Sequence, residues 1–328
     1  MIIVTGGAGF IGSAVVWGLN ARGREDILIV DRLGQGEKWR NLVGLRYAEF
    51  MHAGRFPEAL AQGGFDTQEI EAVIHMGACS STTERDADYL MHNNFAYTRA
   101  LAEYCLAREI RFIYASSAAT YGNGEHGYGD DAATSRRLRP LNIYGYSKQA
   151  FDLYALARGW DRRMVGLKFF NVFGPNEYHK GDMQSVVYKA WQALRAGEAF
   201  RLFRSHRADF ADGEQKRDFV WIKDVVRVIL FFLDNRNTQG IYNVGSGRAA
   251  SFNELLRALF GALHMEKQIE YIDMPEHLRA RYQYFTEADI TRLRNAGYTA
   301  PFTPLDEAIT EYAREYLGGE AYLCNREC

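Results

Sequence analysis

The chain has 328 residues, of which 47% are hydrophobic and 24% are charged, and its formal net charge is −2. This composition is typical of a folded globular protein, and the nearly balanced charge gives no reason to expect a nucleic-acid partner. The apolar stretch Val228–Leu233 is too short to span a bilayer, and the first residues do not resemble a secretion signal. We therefore expect a cytoplasmic protein without a membrane partner. We also predict no metal site and no disulfide framework, because the cysteines are scattered: Cys79, Cys105, Cys324 and Cys328.

The first predicted elements are an apolar strand at Ile2–Val4, the glycine-rich segment Thr5–Gly12 and a helix at Ser13–Arg22. Gly6 permits a tight turn, Gly9 lets a pyrophosphate approach the backbone, and Gly12 lets the helix pack closely on the strand. The helix N-terminus adds free N–H groups and a partial positive charge. This strand, turn and helix predict a dinucleotide-binding site.

The second predicted strand, Ile27–Val30, ends at Asp31. An acidic residue here binds the free 2′-hydroxyl of an adenosine ribose, which favours NAD. Arg32 and Lys38 follow closely and are able to pair with a 2′-phosphate, which favours NADP. The residues alone leave this choice open.

Further strands are predicted at Ala72–His75, Arg111–Tyr114 and Met164–Phe170, with a helix at about 92–108. This alternation predicts an α/β fold with a Rossmann-type, doubly wound parallel sheet. After Gly174 the pattern loosens into a helix at 183–196, a strand and helix at 219–233, a strand at 240–244 and a helix capped by Ser251. We expect a smaller mixed α/β substrate lobe there. The predicted boundaries are 1–173 for the Rossmann domain, with 217–245 crossing back to it, and 174–216 and 246–328 for the smaller lobe.

The second strong motif is Tyr144 followed by Lys148, which lie one turn apart on one face of a helix. A nearby ammonium group lowers the pKa of a tyrosine, which makes the phenol a usable acid or base near neutral pH. Ser116 and Ser117 end the preceding strand, where they are able to bind the same substrate oxygen. This spacing is common by chance, but after the glycine-rich turn it predicts catalytic residues.

Together these motifs resemble the extended short-chain dehydrogenase/reductases that act on nucleotide sugars. Longer runs are similar to the ADP-L-glycero-D-manno-heptose 6-epimerase family, and the similarity extends to about Tyr316. These runs are Gly77–Glu84, Tyr114–Gly122, Asn171–Pro175, His179–Gly181, Lys216–Val220 and Arg281–Gln283. Related dehydratases carry an acid pair where this chain has Ala118 and Ala119, so the resemblance argues against elimination of water.

The resemblance implies an isomerase that inverts C6 of ADP-D-glycero-D-manno-heptose through a 6-keto intermediate with tightly bound NADP. Tyr144 and Lys180 are the two implied acid/base residues. The resemblance also implies a role in lipopolysaccharide precursor synthesis and a homo-oligomer, namely a pentamer. Besides the residues already given, the implied cofactor contacts are Phe10, Ile11, Met76, Gly77, Ala78, Cys79, Ser80, Asn93, Val172 and Lys180. The implied substrate contacts are Asn171, Asp182, Lys189, Phe203, Arg204, Ser205, His206, Arg217 and Tyr282.

Several segments depart from the family pattern. The loops 124–139 and 205–215 are longer than expected, and Asp182 and Lys189 replace a serine and a histidine expected near the substrate. From sequence alone, Arg217 is as well suited to an ion pair with Asp218 or Asp224 as to a diphosphate. Two alternatives stay open: a 4-epimerase of another nucleotide hexose, and a non-catalytic dinucleotide-binding sensor.

Overall fold

The structure is a computed structural model, and it describes residues 1–266, 268–279 and 282–324. Arg281, which belongs to one of the family motifs, and Cys328 lie outside the described residues. Within those ranges the β-strands are β1 Ile2–Thr5, β2 Ile27–Asp31, β3 Glu49–His52, β4 Ala72–His75, β5 Arg111–Ser117, β6 Val165–Phe169, β7 Asn171–Phe173, β8 Phe200–Phe203, β9 Lys216–Trp221, β10 Gly240–Val244, β11 Ala249–Ser251 and β12 Ile269–Ile272.

The α-helices of the described ranges surround these strands. They are α1 Phe10–Asn20, α2 Phe56–Ala61, α3 Ala87–Leu90, α4 Tyr97–Ala107, α5 Ala132–Arg137, α6 Ile143–Ala157, α7 Val186–Arg195, α8 Ile222–Asp234, α9 Phe252–Leu263, α10 Glu276–Arg279, α11 Thr291–Asn295 and α12 Leu305–Glu311. Short 3₁₀ segments occur at Glu37–Leu42, Ala118–Tyr121, Trp160–Arg162 and Tyr178–Met183, and π-helical turns at Met91–Ala96 and Tyr312–Leu317.

The central sheet has seven strands in the order β10-β6-β5-β4-β1-β2-β3, and every pair in it is parallel. The order runs outward in both directions from β1 and β4, which is the arrangement of a doubly wound sheet. The predicted Rossmann-type parallel sheet is therefore confirmed.

Alternation along the strands divides the apolar side chains between two layers. In β1, Ile2 and Val4 pack on the face that carries α1 and α8, whereas Ile3 packs on the face that carries α4 and α6. Both faces of the sheet are thus buried, as a parallel sheet with helices on each side requires.

Two smaller sheets lie outside the central one. One is three-stranded with β9 between β7 and β11, and the other pairs β8 with β12. The predicted cap is confirmed at Ser251, whose hydroxyl accepts a hydrogen bond from Glu254 N at the start of α9. The division of the chain into domains stays a prediction. Among the described residues, no helix is long and apolar enough to cross a membrane.

Candidate active site

The cleft that holds most of the predicted site residues lies where the central strands end at their carboxyl termini, and its volume is about 550 Å³. The predicted residues that line it are Gly6, Gly9, Phe10, Ile11, Gly12, Asp31, Lys38, Met76, Gly77, Ala78, Ser80, Ser116, Ser117, Tyr144, Lys148, Asn171, Val172, Lys180 and Asp182. The predicted residues outside its lining are Arg32, Cys79, Asn93, Lys189, Phe203, Arg204, Ser205, His206, Arg217 and Tyr282.

The glycine-rich turn between β1 and α1 has no room for a side chain at Gly6 or Gly12. Gly6 has a φ of +68°, and a Cβ on Gly12 would lie 2.0 Å from the carbonyl oxygen of Gly6. Gly9 caps α1, which begins at Phe10 rather than at Ser13 and has no acidic residue in its first turn. Backbone without side chains thus faces the cleft, together with a helix N-terminus whose partial positive charge no acidic residue balances. This arrangement of residues 6–12, called the cradle below, fits the pyrophosphate of a dinucleotide.

Asp31 ends β2 beside this turn, and protein donors already occupy its carboxylate. Oδ2 accepts a hydrogen bond from Ala8 N at 2.8 Å, and Oδ1 accepts from Arg32 N and Lys38 Nζ, both at 2.6 Å. The charge of the buried Asp31 is therefore balanced by Lys38, whereas the side chain of Arg32 is exposed.

Tyr144 lies at the start of α6, whose N-cap Asn142 accepts a hydrogen bond from Gly145 N at 2.8 Å. Burial raises the pKa of the Tyr144 phenol, and a hydrogen bond with the side chain of Ser117 partly opposes that rise. The ammonium group of Lys148 donates to the backbone instead, with Nζ 2.8 Å from the carbonyl oxygen of Ala115. Burial is thus the largest influence on the pKa of Tyr144 in this structure, and the lowering of that pKa by Lys148 together with a bound cofactor stays a prediction.

Lys148 is itself buried, and this desolvation lowers its pKa to about 8, although the carboxylate of Asp152 opposes the change. Of the two serines, Ser117 faces Tyr144 and accepts a hydrogen bond from Ala119 N at 3.1 Å. The hydroxyl of Ser116 donates to Asp152 Oδ2 at 2.7 Å, so it is occupied within the protein. The geometry therefore favours Ser117 over Ser116 as a group for the substrate.

Lys180 reaches the same cleft from the 3₁₀ segment after β7. Its Nζ lies 5.2 Å from the ring centroid of Phe10, at the start of α1. Burial lowers the pKa of Lys180, and the nearby carboxylate of Glu177 opposes that change. Tyr144 and Lys180 therefore reach the same cleft from different elements of the fold.

Comparison with known proteins identifies the family. Residues 2–245 match the family model described as the NAD dependent epimerase/dehydratase family. The chain is 54% identical over 317 residues to an ADP-L-glycero-D-manno-heptose-6-epimerase of Nitratidesulfovibrio vulgaris, covering 97% of this chain and 98% of that protein. This chain belongs to the NAD dependent epimerase/dehydratase family.

Solved structures of the family agree with this assignment. The Helicobacter pylori ADP-L-glycero-D-manno-heptose-6-epimerase has a TM-score of 0.80 and 29% identity, covering 95% of this chain and 94% of that chain. A Thermus thermophilus UDP-glucose 4-epimerase solved in complex with NAD has a TM-score of 0.78 and 26% identity, covering 98% of this chain and 99% of that chain. The cofactor of this family member is accordingly a nicotinamide dinucleotide.

Within the epimerase/dehydratase family, Ala118 and Ala119 distinguish the two reaction types. Both residues line the cleft directly after Ser117, and neither side chain is able to donate or accept a proton. The site thus lacks acid and base groups at those two positions, which fits an epimerase rather than a dehydratase.

Arg217, which is one of the predicted substrate contacts, is 8% exposed and lies between two aromatic rings. Its Cζ is 5.3 Å from the ring centroid of Tyr282 and 5.6 Å from that of Phe252. Nη1 donates to Lys216 O at 2.8 Å, and Nη2 donates to Gln283 O. Both partners are neutral backbone oxygens, so neither of them balances the positive charge of Arg217.

The two carboxylates proposed as alternative partners of Arg217 are bonded elsewhere. Asp218 accepts hydrogen bonds from Ser246, Gly247 and Ala288, whereas Asp224 accepts from Arg227 and Thr303. This arrangement favours a ligand role for Arg217.

The predicted substrate contacts of residues 203–206 belong to one segment that reaches this aromatic group. Phe203 packs edge-on against Tyr282 with ring centroids 6.1 Å apart, and His206 N donates to Tyr284 Oη at 3.0 Å. Arg204 and Ser205 contact Asp212, with Ser205 N 2.8 Å from Oδ1. Lys189 donates to the backbone oxygen of Asp182 at 2.6 Å, so its ammonium group is partnered within the protein.

The loop after β4 depends on a residue that sequence analysis missed. Asn94 is buried; its Oδ1 accepts from Cys79 N at 2.9 Å, and its Nδ2 donates to Cys79 O and to Ser147 Oγ, each at 3.0 Å. The predicted contact Asn93 donates to the same Oδ1 at 3.2 Å. Asn94 sits in a π-helical turn, a feature frequent at functional sites that the apolar periodicity of this segment did not indicate.

Proposed function

We propose that this protein inverts C6 of ADP-D-glycero-D-manno-heptose to give ADP-L-glycero-D-manno-heptose, as a step of lipopolysaccharide precursor synthesis. The observation that carries the proposal is the 54% identity, over nearly the whole chain, to a protein of that name. The cleft supports it, because Tyr144 and Lys180 are both present whereas Ala118 and Ala119 replace the groups that elimination needs.

The chemistry follows from the nature of the carbon. The hydrogen on C6 is not acidic, so removal of a proton from carbon does not invert it. A nicotinamide dinucleotide supplies reversible hydride transfer when bound, which converts the C6 alcohol to a ketone and back without net oxidation. Gly6, Gly9 and Gly12 would hold its pyrophosphate, and Asp31 with Lys38 its adenosine end.

The acid/base work falls to side chains of this chain. When the alcohol is oxidised, one of Tyr144 and Lys180 accepts the hydroxyl proton, and when the ketone is reduced from its other face, the second donates a proton to oxygen. Ser117 orients the oxygen through its hydroxyl. The burial of Lys180 supports its role, since it moves the pKa of this residue down towards neutral pH. The role of Tyr144 is supported by its position in the cleft beside the side chain of Ser117.

We propose NADP as the cofactor. The balance of the Asp31 charge by Lys38 supports this choice, because an uncompensated carboxylate would repel a 2′-phosphate. The Lys38→Met variant should lose on the order of tenfold in NADP affinity and far less in NAD affinity, measured by fluorescence titration. Arg40→Met is the matched control, since it removes a cation of the same 3₁₀ segment that pairs with Glu37. Tighter binding of NAD than of NADP would contradict the assignment.

The function is tested by incubating the purified protein, with its bound cofactor and none added, with ADP-D-glycero-D-manno-heptose. NMR of the sugar should show the L-glycero epimer without net formation of NADPH. The Lys180→Met variant should lower turnover by two or more orders of magnitude, roughly the contribution of one general acid/base group. Full activity of Lys180→Met would refute the two-base mechanism. Absence of conversion with cofactor bound would redirect the assignment to another nucleotide sugar.

We also propose a cytoplasmic homo-oligomer, namely a pentamer. The family resemblance supports the assembly, and the free thiols of Cys79, Cys105 and Cys324 are compatible with a reducing compartment. Light scattering at working concentration tests the assembly, and a monomeric mass would overturn it.

A further inference from the structure

Glu177 is a fully buried carboxylate in the segment between β7 and α7, and no part of the reaction described above uses it. Its Oε1 accepts hydrogen bonds from Gly174 N at 3.1 Å, Ser185 Oγ at 2.8 Å and Tyr312 Oη at 3.1 Å. Its Oε2 accepts from Ser185 N. Two of these partners are backbone N–H groups and two are hydroxyls, and four donors around two oxygens suit an ionised carboxylate.

The hydrogen bonds of Glu177 connect the two ends of a loop. Gly174 is the first residue after β7 and Ser185 is the N-cap of α7, so one carboxylate ties both ends of residues 174–185 together. Lys180 lies in the middle of this loop. The irregular backbone needs such ties, because Asn176 and Gly181 both adopt left-handed conformations with φ of 76° and 53°.

Glu177 also acts on the charge of Lys180. The carboxylate favours the ammonium form of Lys180, whereas burial and the neighbouring Lys189 favour the neutral amine. In the opposite direction, burial raises the pKa of Glu177, and its donors together with Lys180 hold it down. The Glu177 carboxylate and the Lys180 ammonium group therefore each favour the charged form of the other.

We propose that Glu177 is a positioning residue for Lys180: its carboxylate fixes the loop that presents this amine to the cleft and supplies a negative charge on the same loop. This inference rests on the role of Lys180 in the proposed function.

The ionisable groups that face this pair come from the loop itself, from α7 and from the π-helical turn that contains Tyr312. Around Glu177 they are Tyr178, Lys180, Tyr188 and Tyr312, and around Lys180 they are Glu177, His179 and Lys189. Near neutral pH the tyrosines are uncharged because burial raises the pKa of each of them, and burial lowers the pKa of His179 to about 4. Glu177 is thus the anion whose charge opposes the effect of burial on the pKa of Lys180, and Asp182 is a second carboxylate in the same segment.

Glu177→Gln is the decisive variant, because it keeps the size of the side chain and removes its charge. It also places an amide donor where Ser185 N needs an acceptor. We expect kcat to fall on the order of 10²-fold with little change in the substrate KM, since the loop no longer holds Lys180 in place. Reductive methylation with ¹³C-formaldehyde, followed by NMR titration, measures the pKa of Lys180, and a Lys180→Arg variant identifies its signal. That pKa should fall by about 1 in Glu177→Gln.

Two further variants separate geometry from charge. Tyr312→Phe removes one donor but keeps the charge and both loop ties, so kcat and the pKa of Lys180 should stay close to those of the parent protein. Ser185→Ala removes a loop tie and keeps the charge, so kcat should fall while the pKa of Lys180 stays nearly constant. Circular dichroism and dinucleotide affinity show whether each variant is folded. If Glu177→Gln does not fold, the predicted fall of kcat in Ser185→Ala tests the inference instead.

The inference is overturned if folded Glu177→Gln retains both the parent kcat and the parent pKa of Lys180. Equal losses in Glu177→Gln and Tyr312→Phe, in proportion to lost stability, would overturn it as well. The titration needs no substrate, so it decides the inference even if another nucleotide sugar proves to be the substrate. Full activity of Lys180→Met, by contrast, would show that Lys180 is not the second acid/base residue of the proposed function. The measured effect of Glu177→Gln on the pKa of Lys180 would remain valid.

Discussion

The carboxylate of Asp152 accepts a hydrogen bond from the ammonium group of Lys168 at 2.7 Å, and both side chains are completely buried. Asp152 also accepts from Tyr114 Oη at 2.8 Å and from Ser116 Oγ at 2.7 Å, while Lys168 donates to Thr120 Oγ1 at 2.8 Å. This cluster joins α6, β5 and β6 directly beneath the residues that line the cleft. Within this cluster each charge meets the opposite charge and neutral hydroxyls.

We therefore expect Asp152→Asn to be strongly destabilising, because it leaves the Lys168 charge buried without an anion. The free energy of unfolding should fall by about 3–5 kcal/mol. The control is Glu270→Gln, which breaks the exposed pair Arg201–Glu270 and should cost less than about 1 kcal/mol. Urea unfolding with saturating dinucleotide measures both values. Equal, small effects would show that the buried pair is dispensable.

Tyr144→Phe removes the phenol and keeps the ring. Turnover should fall by roughly 10²–10⁴-fold, since one general acid/base group is lost, whereas dinucleotide affinity and melting temperature should change little. NMR of the sugar product gives the rate, and fluorescence titration gives the affinity. The control is Tyr146→Phe, since the Tyr146 side chain is 51% exposed on the same helix and does not line the cleft. A Tyr144→Phe enzyme as active as Tyr146→Phe would remove Tyr144 from the mechanism.

The sequence alone predicted those structural features whose residues lie close together along the chain. The turn after β1 requires glycines within seven positions, and Tyr144 and Lys148 share a helix face because they are four residues apart. Patterns of this kind follow from backbone sterics and helical geometry, so spacing alone predicted the glycine-rich turn and the Tyr144 and Lys148 pair. Other residues of the cleft, such as Met76, Asn171 and Lys180, were expected only from the family resemblance.

What the sequence did not reveal depends on contacts between distant segments. The carboxylate of Glu177 meets the hydroxyl of Tyr312, which is 135 residues further along the chain. The pKa of Tyr144 is set by burial, which no local pattern encodes. These features arise only when the helices and loops have packed, so periodicity and spacing did not indicate them.

Gly12→Ala tests the cradle. Its Cβ would lie 2.0 Å from Gly6 O and 2.9 Å from the Cα of Gly7, so the start of α1 must shift and the pyrophosphate site must distort. Dinucleotide affinity should fall by at least about 10²-fold, measured by fluorescence titration. Gly261→Ala is the control, because Gly261 lies in α9 with nothing within 4 Å of its Cβ. That change should leave affinity unaltered and stabilise the fold by roughly 0.5–1 kcal/mol. Unchanged affinity in Gly12→Ala would contradict the assignment of the cradle.

His75 at the end of β4 is neutral because of its surroundings. It is 1% exposed and lies between the hydroxyls of Thr5, 2.6 Å from Nδ1, and Thr98, 2.9 Å from Nε2. The hydroxyl of Thr98 donates to Asn94 O, so it accepts from the Nε2–H of His75, and Thr5 donates to Nδ1. Burial lowers the pKa of His75 to about 3.

This neutral histidine makes stability depend on pH with a definite sign. Below the unfolded pKa of about 6.5 the unfolded chain binds a proton at His75 that the folded chain does not, so unfolding becomes easier as the pH falls. The contribution is about 1.4 kcal/mol per pH unit between roughly 6.5 and 3. The buried His179, whose pKa is lowered to about 4, adds a contribution of the same sign.

His75→Phe should therefore be less stable at neutral pH by about 1–3 kcal/mol, because it leaves the hydroxyls of Thr5 and Thr98 without their ring partner. Its stability should nevertheless fall less steeply than that of the parent protein between about pH 6.5 and 4.5, since one proton-binding site of the unfolded chain is gone. Urea unfolding at a series of pH values gives both slopes. His92→Gln removes an exposed histidine and serves as the control for the substitution itself. Parallel slopes for His75→Phe and the parent protein would show that His75 is protonated in the folded state, and the hydrogen-bond directions given above would then be wrong.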